Sequence, residues 1–249
     1  MKQSSLGLSN TVKRTRKREF LDAMELVVPW AELVALIEPY APDSGRRGQQ
    51  PFAVQTLLRI HFMQQWFKLS DPAMEEALHD VPAFRDFAGL SHWDEHIPSE
   101  SSILRFRHLL ERHKLAEQIL ATVNALLQAK GLQLKAGTVV DATLIAAPTS
   151  TKNETTRWHV AMRPGLRRAL DKDKPLDDLI AQLERTKARI RAKVEHPFRV
   201  LKQQFGYVKV RYRGLKKNTA QIVTLFALSN LWMVRHKLLA MGQVRAPGA

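Results

Sequence analysis

The chain has 249 residues, of which 45% are hydrophobic, so it is long enough to bury one large core or two smaller ones. It contains no cysteine, which excludes a disulfide framework and cysteine-ligated zinc or iron–sulfur sites. The net charge is +15, and no apolar run reaches the roughly 18 residues of a membrane-spanning helix, so we expect a soluble cytoplasmic protein with no membrane partner.

The basic residues are concentrated in two segments. Residues 1–20 hold six Lys/Arg and one Glu, and residues 151–220 hold 19 Lys/Arg and seven Asp/Glu. Such segments are typical of a protein with a polyanion partner. Nucleic acid is favoured over an anionic membrane, because neither segment contains a basic amphipathic helix with Trp or Phe on its apolar face. A solvated basic surface is the alternative.

The first half of the chain has a helical pattern after a basic arm. Residues 1–18 are rich in Ser, Lys and Arg, and we expect them to be flexible. The cations of this arm are candidate DNA contacts, namely Lys13, Arg14, Arg16, Lys17 and Arg18. Residues 19–131 form a predicted helical domain, in which Pro29 opens one helix and an apolar face over 54–66 marks another.

Short helices with capped starts follow within this domain. Asp71 is predicted as an N-cap followed by proline, a further helix ends at Gly89, and the stretch from Ser99 to Ser102 opens a longer helix. That longer helix carries candidate DNA contacts at Arg105, Arg107 and Arg112. The arrangement is compatible with a helix-turn-helix and equally with an ordinary helical bundle.

The sequence pattern changes after Gly131. A helix is predicted over 115–130 and ends at that glycine, whereas residues 137–148 are rich in β-branched side chains and predict a strand. Asp141 interrupts the strand and is a candidate functional carboxylate, because an unpaired buried charge is costly. The alternative is an edge-strand residue that faces water. Two more strands are predicted, over 157–162 and 207–212.

Two long helices are predicted in the last third of the chain. The second, over 219–241, has an apolar stripe, and the first, over 176–204, contains a proline that should kink it. At 100° per residue, Arg191, Glu195 and Lys202 of the first helix lie within an arc of about 60°. A carboxylate flanked by two cations suits a metal-dependent phosphoryl-transfer site on DNA. The alternative is an i,i+4 ion pair on a solvated helix.

Four stretches of the chain resemble one family of enzymes. They are GTVVDATLIAAP around Asp141, the late phrase VEHPFRVLKQQFGYVKVRYRGLKKN, and in the helical half PFAVQTLLRIHFMQQWF and LSDPAMEEALHDVPAFRDFAGL. These stretches are similar to DDE transposases of the IS-five group of bacterial insertion sequences. The resemblance covers nearly the whole chain except the region between Pro148 and Trp158.

The resemblance implies a mainly α chain with a small β component. A helical DNA-binding domain precedes a ribonuclease-H-like α/β catalytic domain over 132–242, and a tail follows over 243–249. The resemblance implies that Asp141, Glu195 and a second aspartate hold Mg²⁺ for cleavage and strand transfer of double-stranded DNA at terminal inverted repeats. Arg191 and Lys202 match basic positions that contact terminal DNA phosphates. It also implies a bacterial cytoplasmic protein associated with the nucleoid.

The chain departs from the family pattern in two places. The usual tyrosine three residues before the arginine is Ala188. The second aspartate is missing, because it should follow two further strands and a helix, which need on the order of 40 residues. Only residues 149–157 lie between Pro148 and Trp158. The nearby acids look like loop, helix-start or solvated charges, namely Glu154, Asp171, Asp173, Asp177 and Asp178.

These departures favour a transposase whose catalytic domain is truncated by an internal deletion and therefore catalytically crippled. Two carboxylates bind one hydrated Mg²⁺ weakly and do not readily fix two ions about 3.5–4 Å apart. One alternative is a non-catalytic DNA-binding remnant that inhibits full-length transposase by mixed assembly, and another is a poorly folded pseudogene product. A further alternative is an active enzyme with a substitute carboxylate, from this chain or from another subunit of a homo-oligomer.

Overall fold

The computed structural model describes residues 15–42, 50–90, 96–132, 162–171 and 173–242, and these residues are mostly helical. The α-helices in these ranges are α1 Arg16–Val27, α2 Trp30–Ile37, α3 Val54–Phe67, α4 Asp71–Asp80, α5 Pro82–Ala88, α6 Glu100–Arg112, α7 Leu115–Ala129, α8 Pro164–Arg168, α9 Pro175–Arg199 and α10 Leu215–Ala240. A 3₁₀ turn, Glu38–Tyr40, follows α2, and a π turn, Val200–Gln204, follows α9. None of these helices combines the length and apolar character needed to span a membrane.

Helices α1 to α7 bury one continuous apolar core. Every one of them contributes buried side chains, the largest of which include Met24, Leu33, Phe62, Met74 and Phe84. Aromatic contacts join the helices, as where Phe20 of α1 meets Trp66 of α3 edge to face with ring centroids 5.3 Å apart. The predicted helix over 54–66 is confirmed, but it is buried on every side over 60–66, so residues outside the predicted apolar face, such as Ile60 and Met63, also belong to the core.

Local sequence signals set the helix ends in this half. Gly89 ends α5 with a φ of +80° as predicted, and α6 begins at Glu100, within the stretch 99–102 that was predicted to open it. The predicted start of α4 is one residue off. Ser70 is the N-cap, because its hydroxyl accepts a hydrogen bond from the Ala73 N–H at 3.3 Å. Asp71 is therefore the first helical residue.

The two long C-terminal helices are confirmed, and α10 shares the core of the N-terminal helices. Its buried side chains, Leu225, Leu228 and Leu231, pack in the same cluster as those of α1 and α7. The N-terminal part of α9 differs, since Leu176, Leu179 and Leu183 are 69%, 62% and 52% exposed. The described residues therefore leave one apolar stripe of α9 uncovered.

The strand predicted over 207–212 is wrong, and the ranges that the structure describes contain no strand at all. Residues 207–212 run irregularly from the π turn to α10, with Val208 and Val210 exposed. A strand needs a neighbour to satisfy its backbone, and no described segment pairs with this one. The strand predicted over 137–148, and all but Met162 of the one predicted over 157–162, lie outside the described residues.

Candidate nucleic-acid interface

The end of α9 carries two of the residues predicted for the catalytic site. Glu195 lies exposed in the α-helical part, and Lys202 lies exposed in the π turn, which begins three residues after Pro197. The turn is closed by a bond from the Phe205 N–H to the Val200 carbonyl at 3.1 Å. Such an i→i+5 turn rotates the chain less per residue than an α turn. Lys202 is therefore displaced further around the axis from Glu195 than uniform α-helical spacing predicts.

The other residues predicted for this site fall outside the described part of the molecule. Arg191 lies in α9, but its side chain is not described, and Asp141 lies outside the described residues. Within the described ranges, no group of three or more His, Asp or Glu side chains could hold a metal ion. The described residues do not by themselves fit the two-metal centre that the family resemblance implies.

Arg107, predicted as a DNA contact, is instead buried and paired inside the protein. Its side chain is 9% exposed, and its guanidinium donates to Asp71 at 2.9 Å and to Glu111 at 3.0 Å. It also lies over the ring of Tyr212, 4.4 Å from the centroid. Burial by itself lowers the pKa of Arg107, but the hydrogen bond to Asp71 and the surrounding charges raise it above its usual value. In this structure Arg107 joins α4 to α6 and is not presented to DNA.

The Arg107 ion pairs belong to a buried polar layer between α3, α4, α6 and α10. Gln64 donates to Asp71 at 2.8 Å, and Gln221 of α10 donates to Gln65 at 3.2 Å. All three glutamines are buried. Because buried polar groups are costly when they lose their partners, this layer fixes α10 in position against the N-terminal helices.

His61 lies in the same layer and is neutral at pH 7. It is 6% exposed, and its Nδ1 has no hydrogen-bond partner among the described residues. Burial, and then the positive charge of Arg107, lower the pKa of His61 from 6.5 to about 4, while Asp71 acts in the opposite direction. Protonation of His61 therefore opposes the folded state.

We expect acid to destabilise the protein through His61. Its pKa is about 4 when folded and 6.5 in the absence of the fold, so the unfolded chain binds more protons between these values. The stabilisation is fully present above pH 6.5 and is lost as the pH falls toward 4. This residue should lower the free energy of unfolding by about 2 kcal/mol between pH 7 and pH 5.

Urea titrations at several pH values measure this effect. His61→Gln should lack this part of the pH dependence, whereas His236→Gln, at an exposed position on α10, should retain it. Equal pH dependence in the wild type and His61→Gln would contradict the prediction.

The last residues of the segment predicted as a flexible arm, 16–18, are helical. Helix α1 begins at Arg16, and the Thr15 hydroxyl caps it by accepting a hydrogen bond from the Arg18 N–H at 3.3 Å. Arg16, Lys17 and Arg18 are therefore helical. Arg18 also pairs with Asp86 of α5 at 3.0 Å, in an exposed position where such a pair contributes little stability. Lys13 and Arg14 lie outside the described residues.

A tight corner precedes α10 and is fixed by one asparagine. Asn218, which is 9% exposed, donates to the carbonyls of Tyr212 and Gly214 at 2.6 and 2.8 Å. Its side-chain oxygen accepts a hydrogen bond from the Tyr212 N–H at 3.1 Å. Gly214 has a φ of +92°, which favours glycine. The corner is also tied to the end of α3, because the Arg211 guanidinium donates to the Leu69 carbonyl at 2.6 Å.

This corner and α6 form a surface cleft of about 480 Å³, which we call the corner cleft. Its basic side chains are His108 and Arg112 of α6 with Arg213, Lys216 and Lys217 of the corner. None of these five has an ion-pair partner within the described ranges. The acid in the lining, Glu111, is already paired with Arg107. Such a cleft suits a multiply charged anion.

Two predicted DNA contacts keep an exposed position on α6. They are Arg105 and Arg112, and the second of these lines the corner cleft. Sequence reasoning missed the other cations of the cleft, Arg213, Lys216 and Lys217. The signal was present in the basic segment 151–220 and in the run RGLKKN. Only the fold, however, brings that run beside a helix about a hundred residues earlier in the chain.

Two regions of the chain match family models of transposase domains. Residues 9–109, which include α1 to α5 and most of α6, match the family described as Transposase domain (DUF772). Residues 145–231, which include α8, α9 and most of α10, match the family described as Transposase DDE domain. The second match contains Arg191, Glu195 and Lys202 and begins after Asp141. No solved structure matches the chain.

These two matches support a DDE transposase as the class of this protein. The corner cleft takes residues from both matched regions, since His108 lies in the first and residues 213–217 lie in the second.

Proposed function

We propose that this chain is an insertion-sequence transposase of the IS-five group that binds the terminal inverted repeats of its element as double-stranded DNA. The observation that carries the proposal is the presence of two transposase-domain matches in one chain, over 9–109 and 145–231. The charge distribution supports it, because 19 Lys/Arg and seven Asp/Glu give residues 151–220 a net charge of +12. Further cations proposed to contact DNA are exposed on the described helices, namely Arg16, Lys17, Arg105, Arg112 and Lys202.

We further infer that the catalytic half is crippled by an internal deletion. Asp141 and Glu195 are the two carboxylates proposed to bind Mg²⁺, which when bound would activate a nucleophile for attack on DNA phosphates. The second aspartate has no counterpart, because only residues 149–157 stand where the family places two strands and a helix. The described residues supply no substitute group of metal ligands.

This inference favours a DNA-binding protein without cleavage activity over an active enzyme and over a poorly folded pseudogene product. The continuous core of α1 to α7 and α10 disfavours the poorly folded product. A chain that keeps its DNA-binding surface and loses a metal ligand would occupy terminal repeats without cutting them. It would also inhibit a full-length transposase by competition for those repeats or by mixed assembly.

Binding and nicking of a labelled duplex test both parts of the proposal. With Mg²⁺ or Mn²⁺ present, we expect the wild type to bind a duplex that carries the terminal inverted repeat and not to cut it. Glu195→Ala should bind equally, and a full-length relative provides the positive control for cutting. Specific cutting that disappears in Glu195→Ala would contradict the deletion and point to an unrecognised third ligand. Failure of the folded wild type to bind the duplex would contradict the proposed function itself.

A further inference from the structure

We propose that the corner cleft binds backbone phosphates of duplex DNA and holds the DNA against α6 and the start of α10. The inference rests on the proposed function, because it assigns the surface on which the DNA partner lies. It concerns a different set of residues from those predicted for catalysis on α9. The residues proposed to contact the phosphates are Arg112, Arg213, Lys216 and Lys217.

The first argument is the uncompensated charge of the cleft. These four side chains are basic and exposed, and they line one concave surface. No described carboxylate neutralises them, since Glu111 is held by Arg107 at 3.0 Å. Like charges in one cleft repel each other and concentrate anions there. A row of phosphates relieves that repulsion and releases counterions from the DNA.

The second argument is that the cleft is preorganised. Asn218 fixes the corner through three hydrogen bonds, and Tyr212 lies under the buried guanidinium of Arg107. The cations of the corner therefore project from a backbone that is held against α6. The two arginines present planar forks that match phosphate oxygens. A preorganised cationic surface loses less conformational freedom on binding than a flexible one.

The third argument concerns which polyanion fits. The cleft takes His108 from the first matched region and Arg213, Lys216 and Lys217 from the second, while Arg112 lies just after the first match, so a ligand that fills the cleft lies beside both regions. Duplex DNA carries phosphates along its length and can reach α6 and α10 together. The contact is made to the backbone, so it positions the DNA and does not read its sequence.

The test removes charge from the cleft and measures duplex binding against salt concentration. The cleft variant is Arg213→Gln with Lys216→Gln, and the matched control is Lys130→Gln with Lys237→Gln, which removes two charges at the far ends of α7 and α10. Each lost phosphate contact reduces the slope of log K against log salt by about 0.9. The slope of the cleft variant should therefore be less steep than that of the wild type by about 2. At 0.1 M salt its affinity for the duplex should be lower on the order of 50-fold.

A charge-retaining variant and a second duplex make the outcome decisive. Arg213→Lys with Lys216→Arg should keep the wild-type slope, and the loss in the cleft variant should be equal on the inverted-repeat duplex and on a scrambled duplex. An unchanged slope in the cleft variant, while the wild type binds DNA, would overturn this inference and leave the proposed function standing. Equal losses in cleft and control variants would also overturn it. If the wild type binds phosphatidylserine vesicles but no duplex, both proposals fail.

Discussion

Replacement of Arg107 by leucine should destabilise the protein by about 3–5 kcal/mol, the usual cost of breaking a buried ion pair by removing one partner. Asp71 and Glu111 would remain, with side chains 17% and 12% exposed and no cation to compensate them. Tyr212 would also lose the guanidinium that covers its ring. Urea denaturation of the full chain, followed by circular dichroism, measures the loss.

Two further variants separate the lost ion pairs from the lost side chain. Arg105→Leu lies on the same helix at an exposed position and should change stability by no more than about 0.5 kcal/mol. Arg107→Lys keeps a positive charge but not the planar guanidinium that reaches both carboxylates. Its free energy of unfolding should therefore lie between those of the wild type and Arg107→Leu. Equal stability of Arg107→Leu and Arg105→Leu would show that Arg107 is not an internal cation that holds α4 to α6.

The sequence could have predicted the burial of Arg107. It lies four residues after Ile103 and three before Leu110, both of which are buried, so α-helical spacing places it on the core face of α6. Its four-residue separation from Glu111 also indicates a partner. The sequence did not predict that Arg107 pairs with Asp71, because this contact joins two helices whose paired residues are 36 positions apart in the chain.

The N-terminal half was predictable because local signals and the fold agree there. Gly89 ends α5 by a rule that operates within a few residues, and the spacing of apolar residues over 54–66 predicts the helix α3 although that helix is buried on every side over 60–66. The strand predicted over 207–212 failed for the opposite reason. Two valines and two tyrosines favour a strand locally, but a strand also needs a neighbour, which no described segment supplies.

The corner cleft could not be predicted because it depends on the tertiary fold. Arg112 and Lys216 lie on helices that are distant in the chain, and the geometry of the corner depends on the hydrogen bonds of Asn218. Asn218 is the last residue of RGLKKN, and nothing in that sequence indicates that its side chain would hydrogen-bond to the backbone of the corner. Its role is therefore a finding of the structure.

Asn218→Ala should destabilise the protein by about 2–4 kcal/mol and weaken DNA binding although it removes no charge. The variant removes the three hydrogen bonds that Asn218 makes to the Tyr212 N–H and to the carbonyls of Tyr212 and Gly214 at 2.6 to 3.1 Å, and each lost hydrogen bond costs about 0.5–1.5 kcal/mol. The corner would then no longer hold Arg213 and Lys216 against α6. We expect duplex affinity to fall on the order of ten-fold, because the cleft loses its preorganisation.

Asn230→Ala is the matched control on the same helix. Its amide donates to Asn124 of α7 at 2.9 Å, away from the corner. The free energy of unfolding of this variant should therefore fall by about 1 kcal/mol, and its affinity for DNA should equal that of the wild type. Both variants should be assayed at a temperature where each is fully folded, so that a loss of affinity reports the cleft and not unfolding. If Asn218→Ala were destabilised but bound duplex DNA with the wild-type affinity and salt slope, the corner would be a structural element only. A loss of affinity confined to Asn218→Ala would instead link the backbone hydrogen bonds of the corner to the phosphate contacts of the cleft.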